Sequence, residues 1–189
     1  MGSSTGTRNF GMRRFTNLVR EGRFRAPAAA ELRLGTAVEI DPGDTDRVRQ
    51  ATANATGEVG ANVRTALVGI LWYEHDSQTY NDPRFGAAAG LLKQDLDTAP
   101  ANRMVQVLHG PGAKVWLRNT EDSTTEGGLN WPNTRAAVTM WDSVTDVGDL
   151  LGWDNANGYY TVTTTEAEAL LRVTHIYADG ETIDAELLV

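Results

Sequence analysis

Three histidines, His75, His109 and His175, are the first candidates for chemistry in this chain. None of them has the His-x-x-x-His or His-Glu-x-x-His spacing that presents two imidazoles to a metal from one helix face. Glu74, His75 and Asp76 are consecutive, but neighbouring residues of a strand point to opposite faces, so their side chains do not converge. The chain has no cysteine, which excludes thiolate chemistry and disulfides. We therefore expect no metal site.

Two aspartate-rich segments, DPGDTD at 41–46 and DNANG at 154–158, have the composition of calcium loops. Neither matches the EF-hand pattern D-x-[DN]-x-[DN]-G with its closing glutamate. Aspartate, asparagine and glycine are also the residues that tight turns favour. We interpret both segments as turns.

Signatures of nucleophilic catalysis and nucleotide binding are also missing. No serine lies in a Gly-x-Ser-x-Gly motif, and no glycine-rich phosphate loop or dinucleotide fingerprint follows a predicted strand. A pair of carboxylates for glycoside hydrolysis leaves no spacing signature, because the fold sets their separation. The sequence favours a protein that is not an enzyme and has no cofactor, with an enzyme kept only as the third alternative.

Tryptophan is the unusual residue type, with five in the chain. Trp131, Trp141 and Trp153 lie near predicted loops, where an exposed indole can stack on a sugar ring; the alternative is that they fill small β cores or an interface. Trp116 alternates with core residues of a predicted strand and so lies on its polar face. We expect another strand, a loop or a partner to cover Trp116, and we name Trp116 and Trp131 as possible interface residues.

The formal charge is divided unevenly along the chain. Residues 1–30 hold six arginines and one glutamate, a charge of +5, so the other residues must carry −13 to give the total of −8. Phosphates would repel such an acidic body, so we predict no direct contact with nucleic acid and expect the basic arm to bind an acidic protein surface. The predicted partner-binding residues of the arm are Phe10, Arg13, Arg14, Phe15, Arg20, Arg23, Phe24 and Arg25.

Residues 11–24 predict a short amphipathic helix in this arm. Met12, Phe15, Leu18 and Val19 recur at helical spacing, and a helix this short needs a surface to fold against. We therefore divide the chain into an N-terminal arm, residues 1–30, and a β-rich body, residues 31–189. Deletion of residues 1–25 is expected to leave the body folded.

The body is predicted to be a small antiparallel β-barrel or sandwich, so that the fold class is mainly β with an extended N-terminal arm. Residues 103–118 predict a β-hairpin turning at 110–112, and the apolar run 66–73 predicts a central strand. Five short strands are predicted over 136–141, 149–152, 159–164, 169–177 and 183–189. The polar loop 119–134 is a possible boundary within the body. No apolar run is long enough for a membrane span, and we expect no membrane contact.

Several segments together resemble one protein family. They are GTAVEIDPGDTDRV, ALVGILWYEH, RMVQVLHGPGAKVWLRNT, VGDLLGWDNANGYYTVT and ALLRVTHIYADGETIDAELLV, within residues 33–189. Their strand and turn patterns resemble the capsid decoration, or cement, proteins of tailed actinobacterial phages.

That resemblance implies a virion structural protein. Such a protein is made in the host cytoplasm and binds the outside of the assembled shell of major capsid protein, often as a trimer or dimer, stabilising the shell without catalysis. A head-to-tail connector or tail structural protein is the nearest alternative. A carbohydrate-binding β module using Trp131, Trp141 or Trp153 is an alternative of a different class.

Overall fold

The computed structural model describes residues 10–14, 19–52, 67–72, 98–99, 101–119 and 138–188. These residues are mainly β, as the sequence predicts, and a 3-10 turn at Glu166–Glu168 is the one helical element among them. The strands are β1 (Phe10–Arg14), β2 (Val19–Arg25), β3 (Leu32–Arg33), β4 (Ala37–Asp41), β5 (Asp44–Gln50), β6 (Leu67–Trp72), β7 (Thr98–Ala99), β8 (Met104–His109), β9 (Lys114–Arg118), β10 (Trp141–Asp142), β11 (Leu150–Asp154), β12 (Tyr159–Thr163), β13 (Leu171–Ile176) and β14 (Thr182–Leu187).

Five strands close into a barrel in the order β2-β5-β4-β6-β8. The β2–β5 pair is parallel and the other pairs are antiparallel. Alternate residues point inward, so each strand contributes to a small apolar interior. The short β3–β7 pair adds Leu32 and Ala99 to that interior. The interior residues from the barrel strands are Phe24, Val38, Val48, Leu71, Val105 and Val107.

The other large sheet has seven strands in the order β1-β9-β14-β13-β11-β12-β10. Its pairs are antiparallel except for β10–β12. The turn signals Asn157-Gly158 and Asp179-Gly180 connect its strands as predicted. Gly158 has φ +75° and Gly180 has φ +68°, which a glycine adopts without the clash that a Cβ would cause.

The two sheets share one apolar core. Residues on the outer face of the barrel, including Ala37, Ile70 and Leu108, belong to the same buried cluster as Leu117 and Trp153 of the seven-stranded sheet. The chain crosses from the barrel to the sheet between β8 and β9, at residues 110–113. The predicted boundary at 119–134 lies almost wholly outside the described residues.

The predicted hairpin is wrong, although both of its strands are present. The closed barrel gives β8 two neighbours, β2 and β6, while β9 pairs with β1 and β14. Gly112 N donates to Leu187 O at 2.9 Å, and Leu187 N donates to Ala113 O at 2.8 Å. These bonds attach the chain to β14 directly after the glycines, so β9 enters the second sheet instead of folding back on β8.

The helix predicted over 11–24 is also wrong over the described residues, because β1 and β2 occupy this segment. Gly11, Met12 and Arg14 pair with β9, and Val19, Phe24 and Arg25 pair with β8. Backbone hydrogen bonds to existing strands therefore outweigh the helical spacing of the apolar residues. β1 belongs to the seven-stranded sheet and β2 to the barrel, so these two strands are part of the body.

Candidate interaction surfaces

Two of the predicted partner anchors fill the cores of this chain instead. Phe24 is fully buried inside the barrel. Phe10 is 1% exposed, and its ring meets Trp72 edge to face, with centroids 5.8 Å apart. The interpretation of Phe10 and Phe24 as anchors for a partner is therefore wrong, because each strand turns its aromatic ring inward.

The arginines of the arm lie on β1 and β2, with Arg13 and Arg14 on the first strand and Arg20 and Arg23 on the second. Arg25 is the one among them whose side chain is described, and it is exposed. Phe15 and Trp131 lie outside the described residues. Their predicted roles, and those of the four arginines, stay predictions.

One end of β2 carries a cationic surface that we call the Met104 patch, formed by Arg25, Arg47, Arg103 and Met104. Arg25 pairs in register with Arg47 on one side and with Met104 on the other. Met104 is 48% exposed. Arg47 Nε bonds Asp44 at 2.8 Å, whereas the Arg25 and Arg103 side chains have no ion pair or hydrogen bond within the described part of the chain.

An acidic surface lies at the other sheet, on the loop formed by residues 142–149, which we call the Val147 loop. Val147 is 63% exposed, and the exposed carboxylates of Asp142 and Asp146 have no cationic partner among the described residues. Asp149 Oδ2 accepts hydrogen bonds from the backbone N of Thr145 at 2.9 Å and of Asp146 at 3.0 Å. These hydrogen bonds therefore fix the conformation of the loop, and Val147 at its tip is exposed to water.

The aspartate-rich segments are turns, as predicted. Asp41 Oδ1 accepts a hydrogen bond from Gly43 N at 2.8 Å. Asp154 Oδ1 accepts one from Ala156 N at 2.9 Å and one from Asn157 N at 3.1 Å. Carboxylates that bond their own backbone in this way stabilise the turn. Within the described ranges no group of three or more His, Asp or Glu side chains is placed to hold a metal ion.

The described tryptophans pack inside the protein. Trp141 is 8% exposed and its Nε1 donates to Glu181 O at 3.1 Å, while Trp153 is 1% exposed. Neither indole presents a face for stacking on a sugar. Trp116 is half-buried, and its indole lies against the backbone of Gly11 on β1, where an added Cβ would collide with the ring. β1 therefore covers Trp116, one of the three kinds of cover that the sequence predicts, and the role of Trp116 at an interface stays a prediction.

Buried titratable groups serve the fold. The nearly buried carboxylate of Glu39 binds Arg49 Nη2 at 2.7 Å and accepts a hydrogen bond from Thr52 Oγ1 at 3.0 Å. Tyr160 Oη donates to Gly35 O at 2.8 Å, and burial raises the pKa of Tyr160 above that of a free phenol. An arginine neutralises the Glu39 carboxylate, and the Tyr160 hydroxyl is held as a hydrogen-bond donor. Both groups therefore form structural pairs and are not placed as a catalytic acid and base.

The sequence patterns do not predict the Met104 patch or the Val147 loop. Met104 is an apolar residue at a position of β8 that alternates with the interior residues, and Val147 is an apolar residue among turn residues. Apolar residues at such polar positions are the signal that would identify these surfaces. Met104 and Val147 cannot be recognised as exposed from the sequence, because their exposure depends on which strands surround them.

No protein-family model matches the chain, and no curated protein matches it significantly. Across the described ranges, no helix has the length and apolar character needed to cross a membrane.

Proposed function

We propose that this chain is a structural protein of a phage virion, one that binds the outside of the assembled capsid and stabilises it. The resemblance of residues 33–189 to capsid decoration proteins supports this role, and the segments that carry the resemblance include most of the strands from β4 to β14. The partner would be the major capsid protein.

The observation that carries the proposal is the position of β1 and β2. β1 is an edge strand of the seven-stranded sheet and β2 is a strand of the closed barrel, and the two sheets share one core. A protein that stiffens a shell has to transmit force between its contacts without opening. Ladders of hydrogen bonds that tie the N-terminal segment to both sheets suit that task, because the segment cannot be detached without breaking two sheets.

Charge supports an acidic protein as the target. Arg13, Arg14, Arg20 and Arg23 accompany Arg25 on β1 and β2, in a chain whose other residues carry most of its acidic groups. Cations concentrated in one segment steer the protein toward an acidic patch, while phosphate-rich surfaces repel the acidic remainder of the chain.

The experiment is co-sedimentation of the full chain with empty capsids, assembled from the major capsid protein encoded in the same genome. We expect saturable binding to assembled shells and none to free capsid subunits. A variant with Arg13→Glu and Arg14→Glu should bind at least about tenfold more weakly, since reversed charges repel acidic groups. Arg172→Glu, at an exposed position of β13, is the matched control and should bind like the unmodified chain.

Deletion of residues 1–25, which the sequence predicts to leave the body folded, is unsuitable for this test. It removes β1 and β2, and with them Phe10 and Phe24, so a loss of binding would report unfolding. Absence of saturable binding by the full chain would overturn the proposal. Equal loss of binding by Arg172→Glu and by the double variant would refute the role of the β1 cations.

A further inference from the structure

We propose that copies of this chain bind one another head to tail, with the Met104 patch of one copy receiving the Val147 loop of the next. The two surfaces lie on different sheets, one on the outer face of the barrel and one beside β10 and β11. Each has an exposed apolar side chain near charges that have no ion-pair partner in the described part of the chain, and the charges of the two surfaces have opposite signs. This inference goes beyond capsid binding and does not depend on it, because it needs only the chain itself.

Two arginines of the Met104 patch, Arg25 and Arg103, have no counter-ion among the described residues. Arg25 and Arg47 are register partners on adjacent strands, where like charges destabilise each other. Asp44 neutralises Arg47, but the described residues supply no counter-ion for Arg25 or Arg103. Met104 faces Arg25 across the ladder, and Arg103 precedes Met104 at the start of β8. A ligand that combines a carboxylate with a small apolar group would match this arrangement.

The Val147 loop offers that combination. Val147 is adjacent to Asp146, and Asp142 begins the same loop. Hydrogen bonds from Thr145 and Asp146 to Asp149 Oδ2, and from Gly148 N to Val173 O at 2.9 Å, fix the loop on β13 before any partner arrives. A loop that is already ordered loses little conformational entropy on binding. Its carboxylates and its valine can therefore dock together on Arg25, Arg103 and Met104.

Such a contact joins two different surfaces, so it is heterologous. A heterologous contact leaves one free patch and one free loop at the ends of every pair, which extends into a ring or a chain of copies. A two-fold contact would instead use the same surface of both copies. This difference can be measured.

The test uses sedimentation equilibrium of the purified full chain, from micromolar to about millimolar protein at low salt. We expect association that weakens when NaCl rises from about 0.05 M to about 0.5 M, because salt screens the charges. Arg103→Glu and Asp146→Arg should each weaken association at least about tenfold. Circular dichroism of each variant checks that it is folded, and Arg172→Glu and Glu166→Arg are charge-matched controls at exposed positions.

A mixture of the two single variants decides the geometry. Neither variant should associate strongly alone, but their mixture should recover association, because the intact loop of Arg103→Glu binds the intact patch of Asp146→Arg and the two altered surfaces carry opposite charges. The double variant Arg103→Glu/Asp146→Arg should recover association, since the charges are exchanged. A chain that stays monomeric at about millimolar concentration overturns the proposal. Association that neither variant weakens, or variants that fail to complement each other, overturn it as well.

Discussion

The barrel and the seven-stranded sheet differ in whether they have edge strands. The barrel has no edge, because β2 closes it between β5 and β8. The sheet stays open and ends at β1 on one side and at the two-residue strand β10 on the other. Exposed edges invite pairing with other chains, and a very short edge strand limits that pairing. The N-terminal segment therefore completes the barrel but only extends the sheet.

Because of this difference, the barrel depends more than the sheet on the N-terminal segment. Its closing strand comes from residues 19–25, and its interior is a small cluster with Phe24 in it. The sheet obtains five of its seven strands from residues 141–187, so that most of its pairing is local in sequence. However, the large buried cluster contains residues from both regions. A destabilising substitution inside the barrel should therefore destabilise the sheet as well, because the two regions share that core.

Phe24→Ala is expected to give the largest effect. Removing a fully buried phenylalanine costs about 3–5 kcal/mol of unfolding free energy, from lost burial and the cavity left behind. Because the core is shared, we expect one cooperative transition, with amide protection falling in β8 and in β13 together. Hydrogen exchange and urea unfolding measure both quantities.

Val147→Ala is the control for this measurement, since Val147 is 63% exposed and its truncation should change stability by less than about 0.5 kcal/mol. Loss of protection in β8 while β13 keeps its original protection would break the argument. The barrel and the sheet would then be independent folding units.

The regions also differ in how far the sequence predicts them. The strands of the sheet from β10 to β14 follow from short alternating runs and from Asn157-Gly158 and Asp179-Gly180, which are local signals. The partners of β8 are not local. Gly110, Pro111 and Gly112 suit a hairpin turn, but the hydrogen bond from Gly112 N to Leu187 O involves a strand far along the chain. The spacing of apolar residues predicts that a segment forms a strand, but it does not predict the partner of that strand.

The same limit applies to the candidate surfaces. The apolar spacing in residues 11–24 predicts a helix. The segment instead forms β1 and β2, because these strands pair with β9 and β8. Burial of Phe10 and Phe24 follows from that pairing. The expectation that Trp116 is covered succeeded because an indole on a polar strand face is costly wherever it occurs.

Tyr160→Phe tests the junction between the two regions. Tyr160 Oη donates to Gly35 O from the buried interface between β12 and the turn before β4. Removing the hydroxyl leaves that carbonyl without its donor, and we expect a loss of about 1–2 kcal/mol in unfolding free energy. Tyr159→Phe is the matched control, because no hydrogen bond of its hydroxyl occurs among the described residues. Equal changes in the two variants would show that the bond does not hold the regions together.

Asp179→Asn should give the smallest effect, confined to the β13–β14 turn. Burial raises the pKa of Asp179, but hydrogen bonds from the backbone and side chain of Thr182 and from Glu181 N, together with the charge of Arg118, hold it below its usual range. A carboxyl whose pKa is lowered by folding stabilises the protein above its unfolded pKa, about 4. That stabilisation is lost as the pH falls through the lower, folded pKa.

The substitution should therefore reduce the unfolding free energy at pH 7 by less than about 1 kcal/mol, since the exposed site is screened by water. The penalty should shrink as the pH falls through the folded pKa, because the original carboxyl is then protonated too. Urea unfolding of both proteins from pH 7 down to about pH 2 measures the difference. Asp46→Asn is the control, an exposed aspartate of β5 whose carboxylate accepts no hydrogen bond from the described residues. A penalty for Asp179→Asn that is the same at every pH would mean that the turn depends on the shape of the side chain and not on its charge.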